Sequence, residues 1–339
     1  MTVSVFRSGV GILSCALLAA CGGGNNGSGT IVTPPGANPS TPTTSPSPGA
    51  GVLNTGEVKP TSDAAFIAAT MELTTIAGTT SDLTEDTRGG TTSNRTVTLD
   101  TPGFKGSYNG STGYSLSDSV NGAVFGRAQL VSDTWANEKN YPTVLFSRLS
   151  ANSADYLALY RNKVNTSTAL GSGSVEPKYA GIGGWQHSIS ETGERHTRLT
   201  YFAFGPATPT TDIPRSGILK YSLTGRGNYA GDNALYFTTS LDEIAVDFDT
   251  HTISGSLSMG GTNFFSGNYG GIYSVRFSGT MSGNMVTGAT ESGVAVASGQ
   301  FKLLFVGPNA DELVLIHAGQ DGRGDFVGSA VGVRNPYLP

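Results

Sequence analysis

Cysteine is almost absent: the 339-residue chain has two, Cys15 and Cys21. Everything beyond residue 21 therefore lacks a thiol, which excludes thiolate metal sites, cysteine nucleophiles and a disulfide scaffold. Charge is also scarce. Only 13% of residues are charged and the balance is −5, with no basic stripe, which argues against a nucleic-acid partner. No apolar run after residue 21 is long enough to cross a bilayer as a helix. The chain has no Gly-x-Ser-x-Gly elbow, phosphate loop or dinucleotide fingerprint, and no serine in a recognisable nucleophile context. Nothing in it points to an enzyme.

What is present begins at the N-terminus. One positive charge, Arg7, precedes an apolar run from Val10 to Ala20, the length of a signal-peptide hydrophobic region. That run ends in Leu18-Ala19-Ala20-Cys21, which resembles a bacterial lipobox. The resemblance implies removal of residues 1–20 as a lipoprotein signal peptide, a diacylglycerol on the Cys21 sulfur and a palmitate-like acyl chain on its amine. Two or more chains hold a protein stably, at about 0.8 kcal/mol per buried CH2. The alternative is an ordinary secretory signal with an incidental cysteine. Gly22 stands where an aspartate would imply retention in the inner membrane, so the expected destination is the outer membrane, on its surface or periplasmic face.

Between Cys21 and Thr55 there is no charged residue; the segment is mostly Gly, Asn, Ser, Thr and Pro. Such a composition cannot bury enough apolar surface to offset its ordering entropy, so residues 21–55 are expected to form a disordered tether. A coil of that length averages roughly 30 Å end to end and stretches to about 100 Å.

Residues 56–339 read as all-β. Glycine is 48 of 339 residues, twice the usual share, and is spread evenly among Ser and Thr. Ile244, Val246 and Phe248 alternate with Glu243, Asp247 and Asp249, a half-buried strand. Tyr273, Val275 and Phe277 repeat the pattern, and Tyr156-Leu157-Ala158-Leu159-Tyr160 is apolar on both faces. Turn signals such as Gly225-Arg226-Gly227, Ser282-Gly283-Asn284 and Gly319 to Gly324 recur at roughly the 8–12-residue spacing of an antiparallel sandwich or barrel. Asp63 to Leu73 fits a helix no better than a strand.

Four segments then carry a resemblance. Tyr201-Phe202-Ala203-Phe204-Gly205, followed by Thr208-Pro209 and Ile213-Pro214-Arg215-Ser216-Gly217, is the first, and Phe277-Ser278-Gly279-Thr280 the second. Phe305-Val306-Gly307-Pro308-Asn309-Ala310-Asp311-Glu312 and Val327-Gly328-Ser329-Ala330-Val331-Gly332 complete the set. In order and spacing they resemble the C-terminal β-barrel of transferrin-binding protein B and its relatives. Those surface lipoproteins include haemoglobin-receptor accessory, complement-regulator-binding and haem-scavenger proteins. The resemblance covers about residues 196–339, with Tyr179 to Trp185 extending it upstream. It implies a closed eight-stranded antiparallel barrel over 196–339, its interior filled mainly by side chains. It also implies a smaller, irregular handle-like β domain over 56–195, with Trp185 near the junction. The implied function is a binding module that captures a solute, haem or protein partner, with or without an outer-membrane receptor, and needs no cofactor. The alternative is a structural or adhesive surface lipoprotein without a small ligand.

Candidate sites follow from local chemistry. Gly260 to Gly271 sets Phe264, Phe265 and Tyr269 in a Gly/Asn-rich stretch, where aromatics left in water mark a partner-binding surface or fold back to plug the barrel. Asp242, Glu243, Asp247 and Asp249 read as the solvated face of a strand before they read as a calcium site or a glycosidase pair. His187, His196, His251 and His317 have no zinc-like spacing. One of them is a candidate haem ligand, and His317, on the Leu313/Leu315 side of its strand, is expected to be buried. Arg323-Gly324-Asp325 is read as hairpin turn chemistry.

Overall fold

The structure is a computed structural model that describes residues 64–76, 92–132, 143–160, 163–168, 171–191, 194–231, 234–263, 269–292 and 298–335. The lipobox with Cys21, the tether 21–55 and the pair Phe264 and Phe265 lie outside the described residues. Twenty strands account for nearly all of the rest. The first twelve are β1 (Ala64–Ile76), β2 (Thr92–Leu99), β3 (Lys105–Asn109), β4 (Gly113–Ser117), β5 (Gly122–Phe125), β6 (Leu130–Ser132), β7 (Thr143–Leu149), β8 (Ser153–Tyr160), β9 (Val164–Thr168), β10 (Gly171–Val175), β11 (Gly181–Glu191) and β12 (Glu194–Pro206). The last eight are β13 (Ile218–Gly231), β14 (Ala234–Asp247), β15 (Thr252–Asn263), β16 (Tyr269–Ser282), β17 (Met285–Ser292), β18 (Ser298–Val306), β19 (Glu312–Asp321) and β20 (Gly324–Arg334). These eight close an antiparallel barrel in sequence order. The Asp63–Leu73 region is strand β1, paired with β12 along its whole length.

Ahead of the barrel stands a seven-stranded antiparallel sheet, ordered β2-β1-β12-β11-β8-β7-β6, with a three-stranded sheet β3-β4-β5 and a two-stranded sheet β9-β10. Alternation along the central strands sorts side chains into two layers. Ile182, Tyr156, Ala158 and Tyr201 share a core with Val314, Ile316 and Val331 on the outer wall of the barrel. Their neighbours Leu157, Leu159, Trp185 and Phe202 pack instead with Tyr114, Leu116 and Phe125 of the three-stranded sheet. A strand sandwiched this way must be apolar on both faces, as Tyr156 to Tyr160 is. A third core, with Tyr221, Phe248, Phe301, Phe305 and Phe326, fills the barrel interior. Each such side chain, fully buried, contributes about 1.5–3 kcal/mol.

The barrel therefore begins at Ile218 and not at residue 196. Strand β12, which the resemblance assigned to the barrel, pairs with β1 and β11 in the seven-stranded sheet. The reason is its length and two-sided apolarity: thirteen residues find partners on both edges and a core on both faces. Trp185 likewise lies within that sheet, facing away from the barrel.

The Phe305–Glu312 motif is where sheet and barrel meet. Gly307 has φ +75°, and a Cβ there would fall 2.5 Å from the Tyr179 ring. The glycine is needed for both reasons. Glu312, nearly buried, accepts the backbone N–H groups of Lys178 at 2.7 Å and of Tyr179 and Ala180 at 2.8 Å. Burial pushes its carboxyl above the usual range, and the three amides pull it back. Thr208 Oγ1 donates to the Gly307 carbonyl at 2.6 Å, and Tyr221 Oη to that of Ala310 at 2.6 Å.

Candidate functional site

The two ends of the barrel differ. Ala64, where the described chain enters, pairs with Pro206, and Ala207 bridges to Val306 at the end of β18. The chain thus enters beside the β18–β19 corner. The β15–β16 connection lies at the opposite end, about 30 Å away for twelve tilted strand residues.

At that far end a bulge reverses a side chain. Met259 pairs with Tyr273 but Gly260 pairs with Gly271, so one residue of β16 is unpaired. Beyond it Tyr269 pairs with Thr262, an exposed position, and is itself 72% exposed. Without the extra residue Tyr269 would share the face of Val275 and Phe277, which is the barrel interior. Gly260–Asn263 and Tyr269–Gly271 are strand, so the Gly/Asn-rich stretch is a loop only at its centre.

The barrel wall away from the sheet is covered by exposed Thr252, Ser254, Ser258, Ser278, Thr280 and Thr287, while Leu257, Val275 and Phe277 point inward. An apolar interior with a hydroxyl-rich exterior is the reverse of an outer-membrane pore. No helix among the described residues is long and apolar enough to cross a membrane.

Residues 213–334 match the family described as the C-lobe and N-lobe beta barrels of Tf-binding protein B. The closed barrel is a transferrin-binding-protein-B-like domain. No protein of curated function shows significant sequence similarity to the chain. Among solved structures, intact Ap-TbpB with its N and C lobes is 15% identical at a TM-score of 0.44, with 79% of this chain and 46% of that one covered. The chain thus spans about half the length of intact Ap-TbpB. HpuA from Kingella denitrificans in complex with human haemoglobin is 14% identical at a TM-score of 0.41, over 85% of this chain and 95% of that one. The N-lobe of lactoferrin-binding protein B from Moraxella bovis is 12% identical at 0.32, over 51% and 91%.

The acidic set of the transferrin-binding-protein-B-like barrel is structural. Asp242 Oδ2 accepts from the Ser258 amide at 3.0 Å and from Ser256 Oγ at 3.1 Å, filling a gap in the β14–β15 ladder. Asp247 caps the turn through the amides of Asp249 at 2.9 Å and Thr250 at 3.1 Å, which hold its carboxyl below the usual range. Asp249 accepts from the Gly217 amide. At the tip of Arg323-Gly324-Asp325, Asp321 Oδ1 accepts the amides of Arg323 and Gly324 at 2.8 Å, which is turn chemistry.

The four histidines separate by environment. His317 is sealed in the barrel interior between Phe277 and Phe326. His251 occupies the exposed β14–β15 turn with φ 56°. His196 has half its side chain exposed, 4.0 Å from Glu191. His187 is oriented by a buried group, its Nδ1 lying 2.8 Å from Asp155 Oδ1.

That contact belongs to a row that sequence reading missed. Cross-strand pairing aligns Glu72 with Arg198, Arg198 with His187, His187 with Asp155 and Asp155 with Arg148. Arg198 pairs with Glu72 and, at 2.9 Å, with Asp118 from beside the three-stranded sheet. Arg148 lies 3.3 Å from Asp155, which is also reached by Trp185 Nε1 at 3.3 Å. Burial lowers the Arg198 pKa from its ordinary value. The residues come from five strands, β1, β12, β11, β8 and β7, in one single strand and two hairpins far apart in sequence, so no local signal joins them.

Proposed function

We propose that the chain is a lipid-anchored binding protein of the outer membrane, fastened through Cys21 and capturing a protein or protein-borne iron ligand with the end of the barrel that carries Tyr269. The single observation that carries the reading is an aromatic side chain turned out into water by a bulge, at the end of the barrel remote from the chain's entry. A closed barrel filled by Phe248, Phe301, Phe305 and Phe326 leaves capture to loops and outer surface. An exposed tyrosine is the kind of anchor from which interfaces draw much of their energy. Phe264 and Phe265, in the adjoining connection, belong to the same proposed surface. Kinship of the barrel with a family of transferrin-binding proteins supports an iron-carrying partner, and the low charge of the tether supports a body held off the membrane. The rigid scaffold presents the surface, and no bond is made or broken.

The test is binding of the mature chain, in detergent, to transferrin, lactoferrin and haemoglobin in turn. Saturable binding of one of them, weakened in Tyr269→Ala, is expected. Absence of binding to all three, with the intact chain still promoting attachment of cells to surfaces, would sink the reading in favour of an adhesive lipoprotein.

A further inference from the structure

Three Asn-Gly pairs occur in the chain, at residues 26–27, 109–110 and 121–122. Such a pair can react with itself: the glycine amide nitrogen attacks the asparagine side-chain carbonyl, and glycine has no side chain to obstruct the approach. The two pairs among the described residues are held differently. Asn109 closes β3 and pairs with Gly113 of β4, so Gly110, Ser111 and Thr112 form the exposed tip of a hairpin. Asn109 Oδ1 accepts the Ser111 amide at 2.9 Å and Ser111 Oγ at 2.6 Å. This turn folds the side-chain carbonyl back over the Gly110 peptide, which is the direction of attack. Nothing lies within 4 Å of where a Gly110 Cβ would stand, so the tip has room to rearrange. Asn121 is tied down instead. Its amide donates to Asp118 Oδ1 at 2.7 Å, its carbonyl accepts the Asp118 amide at 2.9 Å, and Gly122 already lies in β5, paired with Ser117.

We propose that Asn109 is a site of spontaneous deamidation, with Ser111 as the residue that stabilises the reacting carbonyl. The Gly110 nitrogen loses its proton to hydroxide and bonds to Asn109 Cγ. Negative charge develops on Oδ1, where the Ser111 amide and hydroxyl already point, the arrangement of an oxyanion hole. The Cγ–Nδ2 bond then breaks, Nδ2 takes up a proton from water and leaves as ammonia, and a succinimide remains. Water opens that ring at either carbonyl, giving aspartate or isoaspartate. In sum one water enters, one ammonia leaves, and no electron is transferred. Either product adds a carboxylate to the hairpin tip. Isoaspartate also lengthens the main chain by one carbon at the residue that must pair with Gly113, and so loosens the β3–β4 turn. The inference does not rest on the Tyr269 surface, so either can fail without the other.

The experiment incubates the full mature chain, in detergent, in mildly alkaline buffer made with heavy-oxygen water, once folded and once unfolded in urea, and maps the products by mass spectrometry. Asn109 and Asn121 fall in one tryptic peptide, Gly106 to Arg127, so fragmentation reads both from the same molecules. Incorporated heavy oxygen separates conversion during incubation from conversion during digestion. The expected result in the folded chain is labelled aspartate and isoaspartate at 109 with Asn121 retained, whereas both convert in urea. Ser111→Ala should slow the folded chain about 2- to 10-fold, the worth of one exposed hydrogen bond, and leave the rate in urea unchanged. Circular dichroism matching the parent certifies that the variant is folded. Asn109 left intact in the folded chain while the unfolded chain converts would overturn the proposal. So would equal conversion of Asn121 in the folded chain, aspartate without isoaspartate, or a parent-like rate in folded Ser111→Ala.

Discussion

The imidazole of His317 lies directly over Gly328: a Cβ on the glycine would stand 2.7 Å from His317 Nε2 and equally close to the Arg226 carbonyl oxygen. The two residues pair across β19 and β20, and the ring occupies the space that any side chain at 328 would need. Both ring nitrogens lack a hydrogen-bond partner among the described residues, and burial pushes the His317 pKa down to about 3. Gly328→Ala is expected to cost about 1–3 kcal/mol by overpacking against ring and backbone, measured as a shift in the urea midpoint.

His317 also sets a pH dependence. The unfolded chain takes up its proton near pH 6.5 and the folded chain only near 3. Stability from this group is therefore intact above pH 6.5, falls by about 1.4 kcal/mol for each unit below it, and is fully lost near pH 3. Between pH 7 and pH 5 the parent should lose about 2 kcal/mol more than His317→Leu. Equal losses in the two proteins would show that the histidine is hydrated or paired in solution.

Glu312 holds the connection before β11 against the barrel with three amide hydrogen bonds. Glu312→Ala leaves those donors without their acceptor and is expected to cost about 3 kcal/mol, with faster hydrogen exchange at Lys178, Tyr179 and Ala180. Glu312→Gln retains an acceptor oxygen and should cost less.

Tyr269 is mostly in water, so its loss should spare the fold. Tyr269→Ala combined with Phe264→Ala and Phe265→Ala is expected to weaken partner binding at least about tenfold, with a melting temperature close to the parent's. A large fall in melting temperature would place the phenylalanines in the core.

The barrel and the sheet share one apolar interface, through Val314, Ile316, Val327 and Val331. A fragment of residues 208–339 should close its barrel yet expose that face, and so self-associate in sedimentation or light scattering. A monomeric fragment as stable as the full chain would mean the sheet adds little.

Segments such as Ile244–Asp249 and Tyr273–Phe277 were legible as strands because alternation with period two records a buried face: Ile244, Val246 and Phe248 went inward as read. Gly225-Arg226-Gly227, expected to be a turn, instead lies in the middle of β13, paired with β14 on one side and β20 on the other. Eight strands in sequence order also made closure an extension of local hairpins. The placement of β12 was not legible. Tyr201 to Gly205 is apolar on both faces, a pattern that states how many layers cover a strand but not which ones. The candidate surface was half legible. Its composition drew attention to Tyr269, but the direction of that side chain depends on one unpaired residue in β16, which shifts the register against β15 and leaves no mark in composition.

By itself, the amino-acid sequence determined the all-β character and the apolar filling of the barrel, because both follow from short-range alternation and from turns made by neighbouring residues. Only the tertiary structure decided which sheet owns β12, that Glu312 clasps the amides of residues 178–180, and that Glu72, Arg198, His187, Asp155 and Arg148 stand in one row. Those arrangements join strands and hairpins distant along the chain, fixed by register and by competition among layers for the same apolar faces, and neither is encoded at any single position.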